Sequence, residues 1–347
     1  MQPTVVDEAT EPLAFSATLD RGVERMLVPL DRLRTRCLRS TGRPLRRLLR
    51  LRSERVAVQA ALLTCTSFAL ALAAPLWLLT WGPLLLGVPH LVADVRYLVA
   101  RNGLWQRPGF RVLVVPCLAA CMVEPRASWG ILAVICAAAM GAGSWLRRGL
   151  VLALCAATWA GASAAGPVSD VLFAHAHNFV ALGCWAFWAR DSRWQLWPAL
   201  GLCLLGCACL LGGSADPLLT AAFGARIDGL SALSPSGEPR WILRYSACFA
   251  FMQSVHYGVW LRTLPEEDRA RPGLRSFQSS FRALRVDFGS VLLLSAAIAA
   301  LVLLLLAATV DPESARLGYL RLAMFHGPME LAVLALAWIE RRTPRAS

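Results

Sequence analysis

The chain has 347 residues, of which 57% are hydrophobic and 16% are charged, and its mean hydropathy is +0.53. Soluble globular domains usually contain about 45–50% apolar and about 25% charged residues, so this composition argues against an ordinary soluble protein. All 35 basic residues are Arg, and they exceed the acidic residues by 13. Such a basic chain either binds nucleic acid or belongs to a membrane protein with basic loops, and the positions of the Arg residues distinguish the two.

The first element is a basic N-terminal segment, residues 1–55. Its first twenty residues are polar and acidic, and they lack the basic and apolar parts of a cleavable signal peptide. Twelve Arg residues follow between Arg21 and Arg55, and the run from Leu45 to Arg52 mixes them with leucines. We interpret this segment either as an amphipathic helix on anionic lipid or as a plain topology anchor.

Ten apolar runs come next, and a bilayer core about 30 Å thick needs roughly 20 apolar residues per helix. They are Val56–Leu79, Trp81–Ala100, Val112–Val123, Ser128–Trp145, Leu150–Gly166, Val171–Ala189, Trp194–Gly213, Trp241–Leu261, Phe288–Val310 and Leu317–Ile339. The third run is short and is also compatible with a tilted helix, a re-entrant helix or a helix buried among its neighbours. We predict an all-α, polytopic transmembrane bundle of about ten spans at 56–339, followed by a short tail at 340–347, with both termini in the cytoplasm.

The distribution of Arg residues tests this topology. With the N-terminus inside, 28 of the 35 Arg residues fall in cytoplasmic segments, and Arg96 lies within a span near its inner end. This is the positive-inside pattern of membrane proteins, and no nucleic-acid-binding motif accompanies the charge. We therefore predict a multi-pass protein of the bacterial inner membrane that binds no nucleic acid. The pattern leaves the oligomeric state open.

The longer loops and the cysteines carry no specific chemical signature. Loop 214–239 contains an apolar stretch from Leu218 to Leu233 that could lie at the membrane interface or cover a cavity. We interpret the charged run from Glu266 to Arg269 as part of a solvated cytoplasmic loop. Ten of the eleven Cys residues lie inside predicted spans, where a free thiol behaves as a small hydrophobe, so we expect no disulfide framework.

The ionisable residues inside the spans are the strongest functional signal. All five His residues of the chain lie there: His90, His175, His177, His256 and His326. Asp94 and Glu330 are the acidic residues deep in a span, and each follows a His by four positions. Residues i and i+4 share a helix face, so each pair presents an imidazole and a carboxylate to one place. Ionisable groups are costly inside a membrane and mark functional sites.

His175 and His177 cannot both serve one metal in a regular helix, because residues two apart point about 200° apart. We favour His177, which is nearer to the middle of its span and precedes Asn178, although His175 stays a candidate. Gly and Pro residues beside His90 and His326 could open room next to the ligands.

The resulting hypothesis is an intramembrane metal site. The candidate metal ligands are His90, His256, His326 and one or other of His175 and His177. Asp94 and Glu330 are candidate catalytic residues that would orient imidazoles or complete the metal shell. Fe(II) suits such a donor set, since non-haem iron binds imidazole and carboxylate and keeps positions open for oxygen. The alternatives are a haem b electron-transfer protein, a proton-coupled transporter and structural polar packing.

The segment Gly87-Val88-Pro89-His90-Leu91-Val92-Ala93-Asp94 resembles the G-x-P-H-x-x-x-D motif of the Brp/Blh family of membrane carotene dioxygenases. The segments Phe173–Phe179, Phe249–Trp260 and Phe325–Leu331 resemble, in order and more loosely, the later His-bearing helices of that family. Trp260 stands where the family has a second His in its third segment.

This resemblance implies a multi-span helical bundle in which His residues from several helices hold an iron ion. It implies that His90, His177, His256 and His326 are the iron ligands. It also implies an oxygenase that cleaves an apolar lipid-like substrate, a carotenoid or another lipid, which reaches the site from the bilayer.

Overall fold

The computed structural model describes residues 10–40, 42, 51–189, 193–224, 230–269 and 273–341. Over these residues it is all-helical and contains no strand, which confirms the predicted fold class. The α-helices are α1 (Thr10–Ser40), α2 (Arg52–Ala73), α3 (Pro75–Asp94), α4 (Val115–Val123), α5 (Ala127–Met140), α6 (Trp145–Ala165), α7 (Pro167–Trp188), α8 (Arg193–Leu211), α9 (Asp216–Phe223), α10 (Pro239–Gly258), α11 (Phe277–Thr309), α12 (Pro312–Ala323) and α13 (His326–Glu340). π-helical turns extend α3 (Val95–Ala100), precede α4 (Phe110–Val114) and extend α10 (Val259–Thr263), which ends in the short helix Leu264–Glu267.

Helices occupy all ten predicted spans, but only some of these helices are long and apolar enough to cross a membrane. Among the described residues seven segments do so: Arg52–Ala73, Pro75–Ala100, Trp145–Ala165, Pro167–Trp188, Trp194–Leu211, Phe277–Thr309 and Pro312–Glu340. The apolar helices Phe110–Val123 and Ala127–Met140 are shorter. Several long apolar helices therefore indicate a membrane-embedded protein, and the count of ten spans stays a prediction.

Helix α10 lies at the centre of the bundle. It packs against α2, α3, α7 and α8, and most of its side chains are buried. It is not one of the seven apolar segments, because it carries Arg240, Arg244 and Gln253. A helix surrounded by other helices contacts protein instead of lipid, so its polar side chains can be satisfied inside the bundle.

Helix α11 has the opposite character. Ala307 is its one buried residue, while Val291, Leu301 and Leu305 are more than half exposed. Such a long apolar surface would be an aggregation liability in water, whereas lipid covers it without cost. Gly289 breaks the helix with φ of 75°, in the left-handed region that favours glycine.

One predicted span boundary was wrong. The first two spans meet at Ala74 instead of near residue 80, because Ala74 is non-helical and Pro75 starts α3. The last predicted span lies within Pro312–Glu340, which is long and apolar enough for one crossing, although a turn at Met324 and Phe325 separates α12 from α13. Within loop 214–239 the structure forms α9 and a 3₁₀ turn at Ser231–Leu233, with residues 225–229 outside the described part. All eleven cysteines are free, as expected.

The interpretation of Glu266–Arg269 as a solvated loop was also wrong, since all four side chains are buried. Glu266 accepts hydrogen bonds from Arg55 at 2.8 and 3.2 Å and forms an ion pair with Arg269 at 3.1 Å. Trp185 donates to Glu267 at 3.3 Å, and Asp268 pairs with Arg101. Every acid of this run has a partner from another element or the next turn, which makes its burial tolerable.

The N-terminal helix α1 packs along the start of α11. Asp20 accepts hydrogen bonds from Arg285 and Ser290, Glu24 pairs with Arg282 through both of its oxygens, and Asp31 accepts from the backbone at the N-terminus of α11. The acids of α1 thus hold it against the bundle. The run from Leu45 to Arg52 and the tail from 342 lie largely or wholly outside the described residues.

Acidification is expected to loosen α1. The hydrogen bonds from Arg282 lower the pKa of Glu24 below its usual value. A depressed pKa in the docked state stabilises docking above the ordinary carboxylate pKa, and this contribution is lost as the pH falls through the docked-state pKa. Hydrogen exchange of the α1 amides, corrected for intrinsic rates, should therefore speed up between pH 7 and pH 3. Glu24→Gln should show the faster exchange already at pH 7, and wild-type protection in that variant would contradict the assignment.

Candidate metal centre

Four of the five His residues converge between four helices and form what we term the histidine cluster. His90 lies on α3, His177 on α7, His256 on α10, and His326 is the first residue of α13. The ring centroid of His90 is 4.9 Å from that of His256 and 4.8 Å from that of His326. The centroid of His177 is 5.2 Å from those of His256 and His326.

The most compact part of this cluster contains three His residues and one carboxylate. One potential ligand atom from each of His90, His256, His326 and Glu330 lies within 4.8 Å of the others. The Nε2 atoms of His90 and His256 are 2.9 Å apart. His90 and Glu330 are fully buried, and His256 is 1% exposed. Two imidazole nitrogens this close need a proton or a cation between their lone pairs.

His177 lies at the edge of the compact group but shares a hydrogen-bond arrangement with His326. The Nδ1 of His177 donates to the Ala174 carbonyl at 2.7 Å, and that of His326 donates to the Ala323 carbonyl. Because a carbonyl oxygen only accepts, both rings carry their proton on Nδ1 and keep a lone pair on Nε2. Metal-ligating His residues are commonly held this way.

The structure does not bring His175 into the histidine cluster. Its Nε2 donates to the carbonyl of Leu233 at 2.9 Å, and its ring packs edge-on against Tyr245 and Phe249. The 200° separation of i and i+2 on a helix accounts for this outcome. Of the two alternatives in the sequence, His177 is therefore the one that faces the other His residues.

Both predicted carboxylates lie in the cluster and are fully buried. The Oδ2 of Asp94 is 3.1 Å from Nε2 of His90, and the Oε1 of Glu330 is 3.5 Å from Nε2 of His256. Glu330 thus stands among the potential metal ligands. Asp94 Oδ1 and Glu330 Oε2 have no hydrogen-bond partner in the described part of the chain, and buried orphan acceptors are costly unless a cation or proton meets them.

Trp260 is a residue of the site that the sequence reasoning missed. Its indole Nε1 donates to Oε1 of Glu330 at 2.8 Å. The spacing could have identified it, because Trp260 follows His256 by four positions and so lies near the same helix face. The π-helical turn Val259–Thr263 begins just before it, and another, Val95–Ala100, follows Asp94. Single π turns are frequent at functional sites.

The small residues beside the His residues admit protein side chains. A Cβ on Gly87 would lie 2.2 Å from Cζ of Tyr319, so the glycine lets α12 approach α3. A Cβ on Gly327 would be 3.4 Å from Cβ of His177, at ordinary contact distance. The room that we expected beside His90 and His326 is therefore filled by Tyr319 and His177.

The donor spacing fits a transition metal. With metal–imidazole bonds of about 2.0–2.1 Å, two donors on one metal lie about 2.9 Å apart at a right angle and about 3.3 Å apart at the tetrahedral angle. The His90–His256, His90–Asp94 and His256–Glu330 donor atoms are 2.9, 3.1 and 3.5 Å apart, at or near this range. The donors of the compact group as a whole extend to 4.8 Å, wider than the about 4 Å between opposite donors on one metal, so the group would have to contract on binding. The imidazole and carboxylate types suit Fe(II), Mn(II) or Zn(II).

The spacing of His90 and His256 does not fit axial ligation of haem b by this pair. A porphyrin iron between two axial His residues separates their nitrogens by about 4 Å, twice a metal–imidazole bond of about 2 Å. The His90 and His256 nitrogens are 2.9 Å apart, and His326, Asp94 and Glu330 crowd the space around them. A macrocycle has no room between these rings.

Comparisons of the chain with protein-family models, with curated proteins and with solved structures gave no match.

Proposed function

We propose that this protein is a membrane-embedded metalloprotein, a non-haem iron oxygenase that acts on a carotenoid or another lipid. The observation that carries the proposal is the buried group of His90, His256, His326 and Glu330, whose ligand atoms lie within 4.8 Å of one another. The resemblance of Gly87–Asp94 to the carotene dioxygenase motif adds support for the choice of iron and substrate.

The residues of the site divide into candidate metal ligands and residues that support these ligands. His90, His256, His326 and Glu330 would hold the metal, and His177 is placed to join them or to contact a ligand. Bound Fe(II) would supply the activation of oxygen. Each of the two buried carboxylates has a His ring, which can be neutral, as its nearest ion-pair partner in the described chain: His90 for Asp94 and His256 for Glu330. Their two negative charges would therefore balance the charge of a divalent ion.

Trp260 and the surrounding apolar helices have supporting roles. The indole of Trp260 donates a hydrogen bond to Oε1 of Glu330, which would orient this carboxylate as a metal ligand. Burial of His90, Asp94 and Glu330 excludes bulk water from the centre, which strengthens the electrostatic attraction between the carboxylates and a cation.

Elemental analysis with an absorption spectrum of the detergent-purified full chain tests the proposal. We expect about one transition-metal ion per chain, iron when it is expressed with iron, and no Soret band. A preparation without stoichiometric transition metal would remove the basis of the proposal, and a Soret band would indicate haem. Proton-coupled transport by metal-free protein in liposomes would favour the transporter alternative.

A further inference from the structure

A cavity of about 380 Å³ lies beside the metal centre, between α3, the π turn of α10 and α11. Its volume is within the about 300–1,000 Å³ range of small-molecule sites. Ala93 and Trp260 form part of its wall. Ala93 directly precedes Asp94 in the sequence, and Trp260 donates a hydrogen bond to Glu330. Trp260 therefore contacts both the cavity and the metal centre.

The lining is divided into an apolar and a basic part. Val88, Val92, Leu261 and the alanines of α11, Ala296, Ala297 and Ala300, supply small apolar surfaces. Arg96, Arg262, Arg269 and Arg275 supply four guanidinium groups, and no acidic residue of the described part of the chain lines the cavity. This division matches a molecule with an apolar chain and an anionic head group.

Two of these Arg residues are already neutralised. Arg96 donates to Asp287 at 2.5 Å, and Arg269 pairs with Glu266. Arg262 is exposed and Arg275 is half-buried, and neither forms an ion pair within the described part of the chain. The cavity therefore has an uncompensated charge of two positive groups on its basic side.

The position of α11 makes the cavity reachable from lipid. This helix exposes most of its apolar surface, and the break at Gly289 places residues from both of its halves, Leu284 and Ala296, on the cavity wall. Arg96 lies at the end of α3 that the positive-inside pattern assigns to the cytoplasmic leaflet. A lipid that enters laterally would bring its head group to the Arg residues and its chain to the alanines.

We infer that this cavity is the substrate-access site and that the substrate is a single-chain amphiphile with an anionic head group. This inference rests on the proposed function, and it narrows the substrate from a carotenoid or another lipid to a lipid with an anionic head group, which a hydrocarbon carotenoid lacks. The anion contacts Arg262 and Arg275 at the membrane interface, and the chain lies between α3 and α11 against Trp260. Charge-assisted hydrogen bonds from guanidinium to carboxylate or phosphate supply the selectivity.

A photoactivatable palmitate and its methyl ester, applied to the detergent-purified full chain, test the inference. Palmitate should crosslink to peptides that contain residues 88–97, 259–265 or 290–300, and the ester should label them about tenfold less. The double variant Arg262→Gln/Arg275→Gln should lower palmitate labelling by about tenfold to the level of the ester. The matched control Arg126→Gln/Arg240→Gln removes two exposed Arg residues of other surface pairs and should label as wild type.

Two substitutions on α11 test the apolar part of the cavity. Ala296→Phe fills the cavity and should abolish labelling by both probes, while Ala299→Phe, outside the lining, should not. Equal labelling by palmitate and ester, or full labelling of the Arg262→Gln/Arg275→Gln variant, overturns the inference. Displacement of palmitate by inorganic phosphate alone also overturns it, because a free anion would then suffice.

Metal content of the same preparations separates this test from that of the proposed function. All four variants should keep the wild-type metal content, since none of the changed residues belongs to the histidine cluster. Labelling of the wild type that does not depend on Arg262 and Arg275, with metal retained, refutes the access site only. Absence of metal from the wild type with Arg-dependent labelling retained refutes the oxygenase.

Discussion

His256→Ala is expected to lower the affinity of the purified protein for its transition metal by about 100-fold or more. Substitution of residues that only support metal ligands costs about 10–100-fold, and His256 is a central donor candidate. Its Nε2 lies 2.9 Å from that of His90 and 3.5 Å from Oε1 of Glu330, so its removal breaks the compact group at two contacts. Metal content after dialysis against a graded chelator measures the loss.

His175→Ala is the matched control for this prediction. It removes an imidazole from the same bundle, yet His175 bonds to the Leu233 carbonyl and packs on Tyr245 outside the histidine cluster. We expect it to keep the wild-type metal content and to lose only a modest amount of stability. Equal metal loss in His175→Ala and His256→Ala would show that the effect is general unfolding, and retention of metal in both would refute the site.

Glu266→Ala is expected to destabilise the fold by about 3–5 kcal/mol, because removal of one partner leaves buried charges uncompensated. Glu266 is fully buried and accepts from Arg55, which is 3% exposed, while it also pairs with Arg269. The pair Arg55–Glu266 connects the start of α2 to the helix that follows α10. Equilibrium unfolding of the purified protein in a detergent and denaturant titration measures the change.

Glu238→Ala provides the comparison with an exposed ion pair. Glu238 is 58% exposed and pairs with Arg240, which is 65% exposed. Exposed pairs contribute about 0–1 kcal/mol, so this variant should unfold close to wild type. If Glu266→Ala were no less stable than Glu238→Ala, the buried charges would not stabilise this end of the bundle as the contacts indicate.

The candidate site was largely predictable because its residue types are rare inside membrane spans. His90 with Asp94 and His326 with Glu330 follow the i and i+4 rule, which depends only on helix geometry. The choice between His175 and His177 needed the rotation of α7 against its neighbours, and the structure turns His177 inward. The contact of Trp260 with Glu330 crosses between α10 and α13, which no local pattern specifies.

The fold divides in a similar way. Apolar runs predicted the helices, because a bilayer demands long segments with satisfied backbone hydrogen bonds. The run Glu266–Arg269 was misassigned to a solvated loop, since charge alone does not reveal whether a carboxylate faces water or Arg55. The division of the last span at Met324 and Phe325 also escaped the pattern, although it places His326 at the start of α13.

The apolar excess and the Arg distribution by themselves determined an all-helical, membrane-type chain with ionisable groups kept inside its spans. Composition and helix period suffice for this because they act within one segment at a time. Only the tertiary structure decided that His90, His256, His326 and Glu330 meet, and that His175 does not join them. Their meeting depends on the rotation and depth of separate helices, which are set by side-chain packing between residues far apart in the sequence.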